Sequence, residues 1–172
     1  GNTEGFVAPE QPQADVIAAQ RWIKSSLDKL IADVRGYMES YRFDFASQAL
    51  YEFTWNEYCD WFIELTKPVM NGDDEAAKAS VQATLLEVLD TLLRLHHPIM
   101  PFITEEIWQQ LRAPLRIEAT SIVGSDFPGA AGRTDEQAEA EINWLKEALL
   151  GIRRIRAEMN ISPGKPLPLI TT

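Results

Sequence analysis

Between Ile23 and Tyr41 the apolar side chains Ile23, Leu27, Leu30, Val34, Tyr37 and Tyr41 fall at alternating steps of four and three, which puts them on one face of a 3.6-residue helix. Steps of three and four return in three more segments. One carries Tyr51, Trp55, Tyr58, Phe62 and Leu65, another Val81, Leu85, Val88, Leu92 and Leu95, and the last Leu145, Leu149, Ile152, Ile155 and Met159. Four such stripes leave a chain of 172 residues little freedom, because each must bury its face against another helix. The expected fold is all-α, an antiparallel helical bundle with a short irregular or extended C-terminal appendage.

Punctuation residues set the expected boundaries. The first helix runs from Ala14 to Tyr41, and Asp44 in RFDFAS is the expected N-cap of a second that stops near Pro68. NGDDE is a turn, a third helix spans Asp74 to His97, and Pro98 and Pro101 end it. Thr104 is the expected cap of a short helix, TEEIWQQL, with Glu105 and Glu106 at the positive end of its dipole. Residues 113–133 form a connecting loop in which RIEATSIV is the only candidate extended piece. A capping box from Thr134 to Gln137 opens the last helix, and PLPLITT is placed to begin a strand after the turn NISPGKP. The organisation is thus a linker (1–13), a core bundle (14–112), the loop (113–133), a C-terminal helix (134–160) and the opening of a further domain (161–172).

The stretch YEFTWNEYCDW holds five aromatic rings in eleven residues. Rings pack cores, and they also stack on nucleic-acid bases. Helical spacing puts Tyr51, Trp55, Tyr58 and Phe62 on one stripe with Trp61 beside it and Phe53 nearly opposite. No Arg or Lys is interleaved, which favours core packing over base stacking, so these four rings, with Trp108, are the expected structural core.

Catalytic patterns are absent: there is no GxSxG and no HExxH, and SPGKP lacks the form of a phosphate-cradling loop, so Lys165 is not a nucleotide lysine. The lone Cys59 cannot form an internal disulfide, and the adjacent His96 and His97 diverge by about 100° on a helix, a poor metal site. No metal is expected. No run approaches the roughly 20 apolar residues of a membrane span, and the polar start GNTEGFVAPEQPQ is no signal peptide. An intracellular, cytoplasmic protein is expected, and a first residue Gly1 without Met points to a piece of something longer. The net charge of −10 argues against a free-standing nucleic-acid binder, yet from Trp144 onward five basic residues outweigh two acids. Arg153, Arg154, Arg156 and Lys165 are therefore candidates for contact with a phosphate backbone, against the simpler reading of a solvated helix face.

Three stretches, YRFDFASQALYEFTWNEYCDWFIELTKPVMNG, TLLEVLDTLLRLHHPIMPFITEEIWQQL and WLKEALLGIRRIRAEMNISPGKPL, strongly resemble the bacterial valyl-tRNA synthetases. The PIMPFITEEIW element is shared with isoleucine and leucine enzymes, whereas YEFTWNEYCDWFIELTKP selects valine. The resemblance implies the anticodon-binding helical domain of a class I synthetase, with tRNA(Val) and the enzyme's own catalytic and C-terminal domains as partners, and no DNA. It implies that ATP and Mg²⁺ belong to a catalytic domain whose HIGH and KMSKS motifs are not found here, so this piece holds no cofactor and is expected to be inactive alone. NTEG looks like the family's junction between the two parts, and a helix that carries a stacking contact to the anticodon lies upstream of it. Arg42, in the first matching stretch, joins the candidates for tRNA contact. Without the resemblance, a stand-alone helical scaffold for protein partners would explain the same residues.

Overall fold

The computed structural model describes residues 6–8, 14–162 and 165, and among them it is helical with no strand. The apolar stripes become α1 (Ala18–Glu39), α2 (Phe43–Glu52), a π-helical segment (Phe53–Phe62), α3 (Ile63–Met70), α4 (Glu75–His96), α5 (Pro101–Leu115) and α6 (Glu136–Glu158). Because α2, the π segment and α3 follow without a break, they form one central rod among five. Short turns fold the first four rods back on one another, so α1 and α4 both run against the central rod, as an antiparallel bundle requires, and a longer connection brings α6 back to α1.

The main core lies between these three rods and the start of α6. It joins Ile23, Leu27 and Val34 of α1 to Leu50, Tyr58 and Phe62, to Val88 and Leu92 of α4, and to Ala138 and Ile142. A smaller cluster on the other side of α4 gathers Leu86 and Leu93 with Trp108 and Leu111 of α5 and with Ile122. Trp108 is fully buried, and its indole N–H donates to Asp90 at 2.7 Å, so the one polar atom of the ring keeps a partner. Between α1 and α4 the buried Gln20 amide donates to Ser80 Oγ at 3.0 Å and Thr84 Oγ1 at 2.8 Å.

The π segment corrects the expected aromatic stripe. A helix closed by i to i+5 bonds turns more slowly per residue than an α-helix, so positions four and five apart, rather than three and four, share a face. Phe53 therefore joins Tyr58 and Phe62 in the core, although 3.6-residue spacing points it away. Tyr51 and Trp55, expected inside, stand outside at 65% and 57% exposure, their rings parallel within 3° and 6.5 Å apart. Tyr58 spans to α4, where its hydroxyl donates to the Leu85 carbonyl at 3.1 Å, and burial pushes its phenol above the ordinary range.

Several helix starts also shift. Asp44 is not the cap of α2 but sits in its first turn, where it accepts from Arg42; α1 ends at Glu39, leaving Tyr41 beyond it and exposed. The helix after the prolines begins at Pro101, which suits a first turn that needs no N–H, so Thr104 is interior. Its Oγ1 donates to Met100 O at 2.7 Å and lies 2.8 Å from His97 Nδ1, while His96 Nδ1 meets Leu92 O, so the two histidines serve separate local contacts. Asp135, not Thr134, caps α6 by accepting from the Ala138 amide at 2.9 Å. Helix α5 runs on to Leu115, and RIEATSIV holds a single 3₁₀ turn, Ile122–Gly124, in place of a strand. The strand expected at PLPLITT lies outside the described residues, as does most of 1–13 and 161–172.

The segment before α6 is strapped across the bundle by Asp28 of α1. That carboxylate accepts from the amides of Ala131 (3.1 Å) and Arg133 (2.7 Å), while the Arg133 guanidinium bonds both Asp28 and Glu87. Burial raises the Asp28 pKa, but these donors outweigh it and hold the carboxyl below its usual range.

Candidate nucleic-acid interface

Helix α6 packs on α1 through its first half, where Ala138 and Ile142 are buried, and then leaves the core. Leu149 and Ile152 are half-buried, and Ile155 and Met159, expected on the apolar face, are exposed. A chain of cations over aromatic rings marks where it leaves. Lys146 Nζ lies 4.4 Å from the centre of the Trp22 ring and 5.5 Å from that of Trp61, and it pairs with Glu57. One turn-pair later the Arg153 guanidinium lies 5.8 Å from the same Trp61 ring.

Arg153 and Arg156 then line a groove of about 590 Å³ with Ala157, Asn160 and Ile161. Three residues apart on a helix, the two guanidiniums share this face as their spacing requires. Arg156 is held there from below, since its Nη2 donates to the carbonyls of Ser162 (2.7 Å) and Lys165 (2.6 Å) and so closes the turn after the helix. Lys165 is thus brought to the groove by its backbone. Arg154 is exposed on the same turn of α6 but does not line the groove. Such a face can attract a polyanion, with the Arg153 guanidinium able to fork onto phosphate oxygens beside the positive charge of Arg156.

Arg42 stands apart from this group, at the turn between α1 and α2. Its guanidinium makes two hydrogen bonds to Asp44, at 3.1 and 3.0 Å, and covers the Phe45 ring at 3.6 Å. This pairing holds the Asp44 carboxyl below its usual range and raises Arg42. Of the rings expected in the core, Tyr58, Phe62 and Trp108 are buried and Tyr51 and Trp55 are not. Lys146 is the site residue that sequence reasoning missed. Its signal was present, because Lys146 and Arg153 are seven apart and share a helix face. Among the described residues no cluster of His, Cys, Asp and Glu could hold a metal, and no helix is long and apolar enough to cross a membrane.

Comparison with known proteins gives this surface its context. The family model of the anticodon-binding domain of tRNA ligase matches residues 20–171. The chain is similar to the valine–tRNA ligases of Stenotrophomonas maltophilia strains R551-3 and K279a, at 46% identity over 172 residues in each case. These matches cover 98% of this chain but 18% of each ligase, so the chain spans less than a fifth of the length of those relatives. An all-helical bundle matched over nearly its whole described length belongs to the family of anticodon-binding domains of tRNA ligases.

Proposed function

We propose that this chain is the segment of a valine–tRNA ligase that receives the anticodon arm of tRNA(Val). One observation carries the reading: the identity to valine–tRNA ligases extends over 98% of the chain, within a region matched as anticodon-binding. On this reading other domains of the same polypeptide, in the cytoplasm, activate valine with ATP and Mg²⁺ and transfer it to the tRNA. This segment contributes position and affinity. The groove formed by Arg153 and Arg156, with Arg154 and Lys165 beside it, contacts the tRNA backbone, because from Trp144 onward five basic residues outweigh two acids in a chain of net charge −10. An acidic remainder is compatible with this, since it repels RNA from the faces that should not bind it.

The test is tRNA affinity across a salt series in the ligase carrying this segment, with Arg153→Ala and Arg156→Ala combined. Each lost phosphate contact should reduce the slope of log affinity against log salt by about 0.7 to 0.9, and valine-dependent pyrophosphate exchange should not change. Unchanged tRNA binding at both low and high salt would leave α6 with a merely solvated basic face. A second reading, a scaffold that docks protein, is favoured by one feature: Ile99, Met100, Phe102, Ile103 and Ile107 are exposed together at the start of α5. Indifference of the chain to tRNA(Val) over bulk RNA would favour it.

A further inference from the structure

Helix α1 ends at Glu39 and α2 begins at Phe43, so the chain reverses within three residues. Backbone bonds from Arg42 to Tyr37 (2.8 Å) and from Tyr41 to Met38 (3.1 Å) close the turn, and Tyr41 sits in the left-handed region at φ 57°. Glycine or asparagine normally ends a helix this way, because a side chain with a Cβ is strained there. The ring gives nothing to the core in return, because Tyr41 is 80% exposed. It meets Phe43, itself 50% exposed, edge to face at 6.2 Å. Beside them Arg42 lies over Phe45, and Phe45 leans on Tyr37 at 5.6 Å. The bond from Arg42 to Asp44 is a surface pair, of a kind worth little and readily exchanged for another anion.

The chemistry of this corner selects its ligand. From Tyr41 to Trp55 every large apolar side chain that is exposed is aromatic: Tyr41, Phe43, Phe45, Tyr51 and Trp55. The patch at the start of α5 is mostly aliphatic instead, as suits a protein surface. Flat rings interleaved with an arginine offer faces for unpaired bases and a cation for the neighbouring phosphate. We propose that the corner between α1 and α2 is a stacking site for an unpaired base of an RNA hairpin loop. Tyr41 and Phe43 supply the ring faces, and Arg42, held over Phe45, meets the adjacent phosphate. This rests on the RNA-binding reading above and adds to it a second contact, built from α1 and α2 and not from α6.

The left-handed backbone makes the test clean. Tyr41→Gly removes the ring and relieves the strain, so the chain should keep or gain thermal stability. Its affinity for hairpin RNAs carrying 2-aminopurine at each loop position in turn should fall roughly five- to hundredfold, the loss of one stacking contact. Tyr41→Phe should bind like the parent. One loop position should show 2-aminopurine quenching with the parent and Tyr41→Phe but not with Tyr41→Gly. The salt slope should be the same for all three, since stacking releases no counterions. Tight binding by Tyr41→Gly would overturn the stacking site and leave the RNA reading standing, whereas a parent chain that binds no hairpin overturns both.

Discussion

The Arg133 guanidinium donates to Asp28 at 3.0 Å across 105 residues of sequence, and through this pair the loop before α6 is fastened to α1. The same carboxylate takes the amides of Ala131 and Arg133, so it gathers backbone and side-chain bonds of the strap, while Arg133 also reaches Glu87 and the Asp135 amide donates to Ser25. Just beyond it the start of α6 is held to α1 by Ser25 and Lys29, which both bond Glu139.

Asp28→Ala should cost about 2 to 4 kcal/mol at neutral pH, because it strands a half-buried arginine and two amides. The sign of the pH dependence follows from the direction of the shift. The folded carboxyl lies below its ordinary value, so its contribution is fully present above about pH 4 and is lost as pH falls through the folded value. Glu139, lowered by Lys29 and Ser25, acts in the same direction. Urea titrations of the parent and Asp28→Asn should therefore converge as the pH is taken below about 4. A gap that persists there would mean that Asp28 acts through packing and not through its charge.

The two faces of the central rod predict opposite outcomes for similar changes. Phe62→Ala should cost about 3 to 5 kcal/mol, because the ring is fully buried and leaves a cavity. Trp55→Ala, on an exposed ring, should cost no more than about 1 kcal/mol. Denaturant midpoints decide this, and the reverse ranking would put the rod back into α-helical register.

This reversal marks the limit of what the sequence discloses. The spacing of Ile23 to Val34 and of Val81 to Leu95 yields both the helices and the buried faces, because regular α-geometry turns spacing directly into direction. The stripe Leu145 to Met159 yields the helix but not its burial, which rests on Ala138 and Ile142. The sequence YEFTWNEYCDW yields a helix but the wrong faces, since no Gly or Pro announces a change of pitch and the error grows with each residue of the π segment. Cap positions miss by one to four residues, from Thr134 against Asp135 to Thr104 against Met100, because several residues near each start could cap it. In the interface the pairing of Arg153 with Arg156 was legible from their spacing. The exposure of Tyr41 was not, because it depends on α1 stopping at Glu39 against the periodicity of its own apolar stripe.

Glu105 and Glu106, expected in a first turn, stand in the second turn of α5 because the helix begins at Pro101, and only Glu105 reaches another segment. Its Oε2 accepts from Ser121 Oγ and from the Ile122 amide, each at 3.0 Å, and so seats Ile122 in the cluster around Trp108. Glu105→Ala should speed amide exchange at Ile122 by roughly tenfold or more, the equivalent of about 1.4 kcal/mol of local stability. Glu106→Ala should leave that amide unchanged. Equal effects of the two would mean that the bonds from Ser121 and Ile122 do not hold that turn in place.

Lys146 is the last point at which α6 is clasped by charge to the rest of the bundle before its arginines begin. Its side chain is 15% exposed, covers Trp22 and Trp61, and pairs with Glu57, so the ammonium is bound on both its aromatic and its anionic side. Lys146→Met keeps the length and apolar stem but deletes the charge. The expected loss is about 1 to 3 kcal/mol, from the cation–π contacts and from leaving Glu57 unpaired in a partly shielded place. Because Ile155 and Met159 are exposed, little apolar burial holds the end of α6 once this clasp is gone. Amides from residue 150 onward should then exchange faster, while those around Ala138 and Ile142 keep their protection. Glu57→Gln should produce a smaller version of the same pattern, since the amide still accepts from Lys146 and the rings still face it. If Lys146→Met instead destabilises both halves of α6 equally, the helix is held as one unit by its α1 contact, and the clasp plays no part in placing the basic groove.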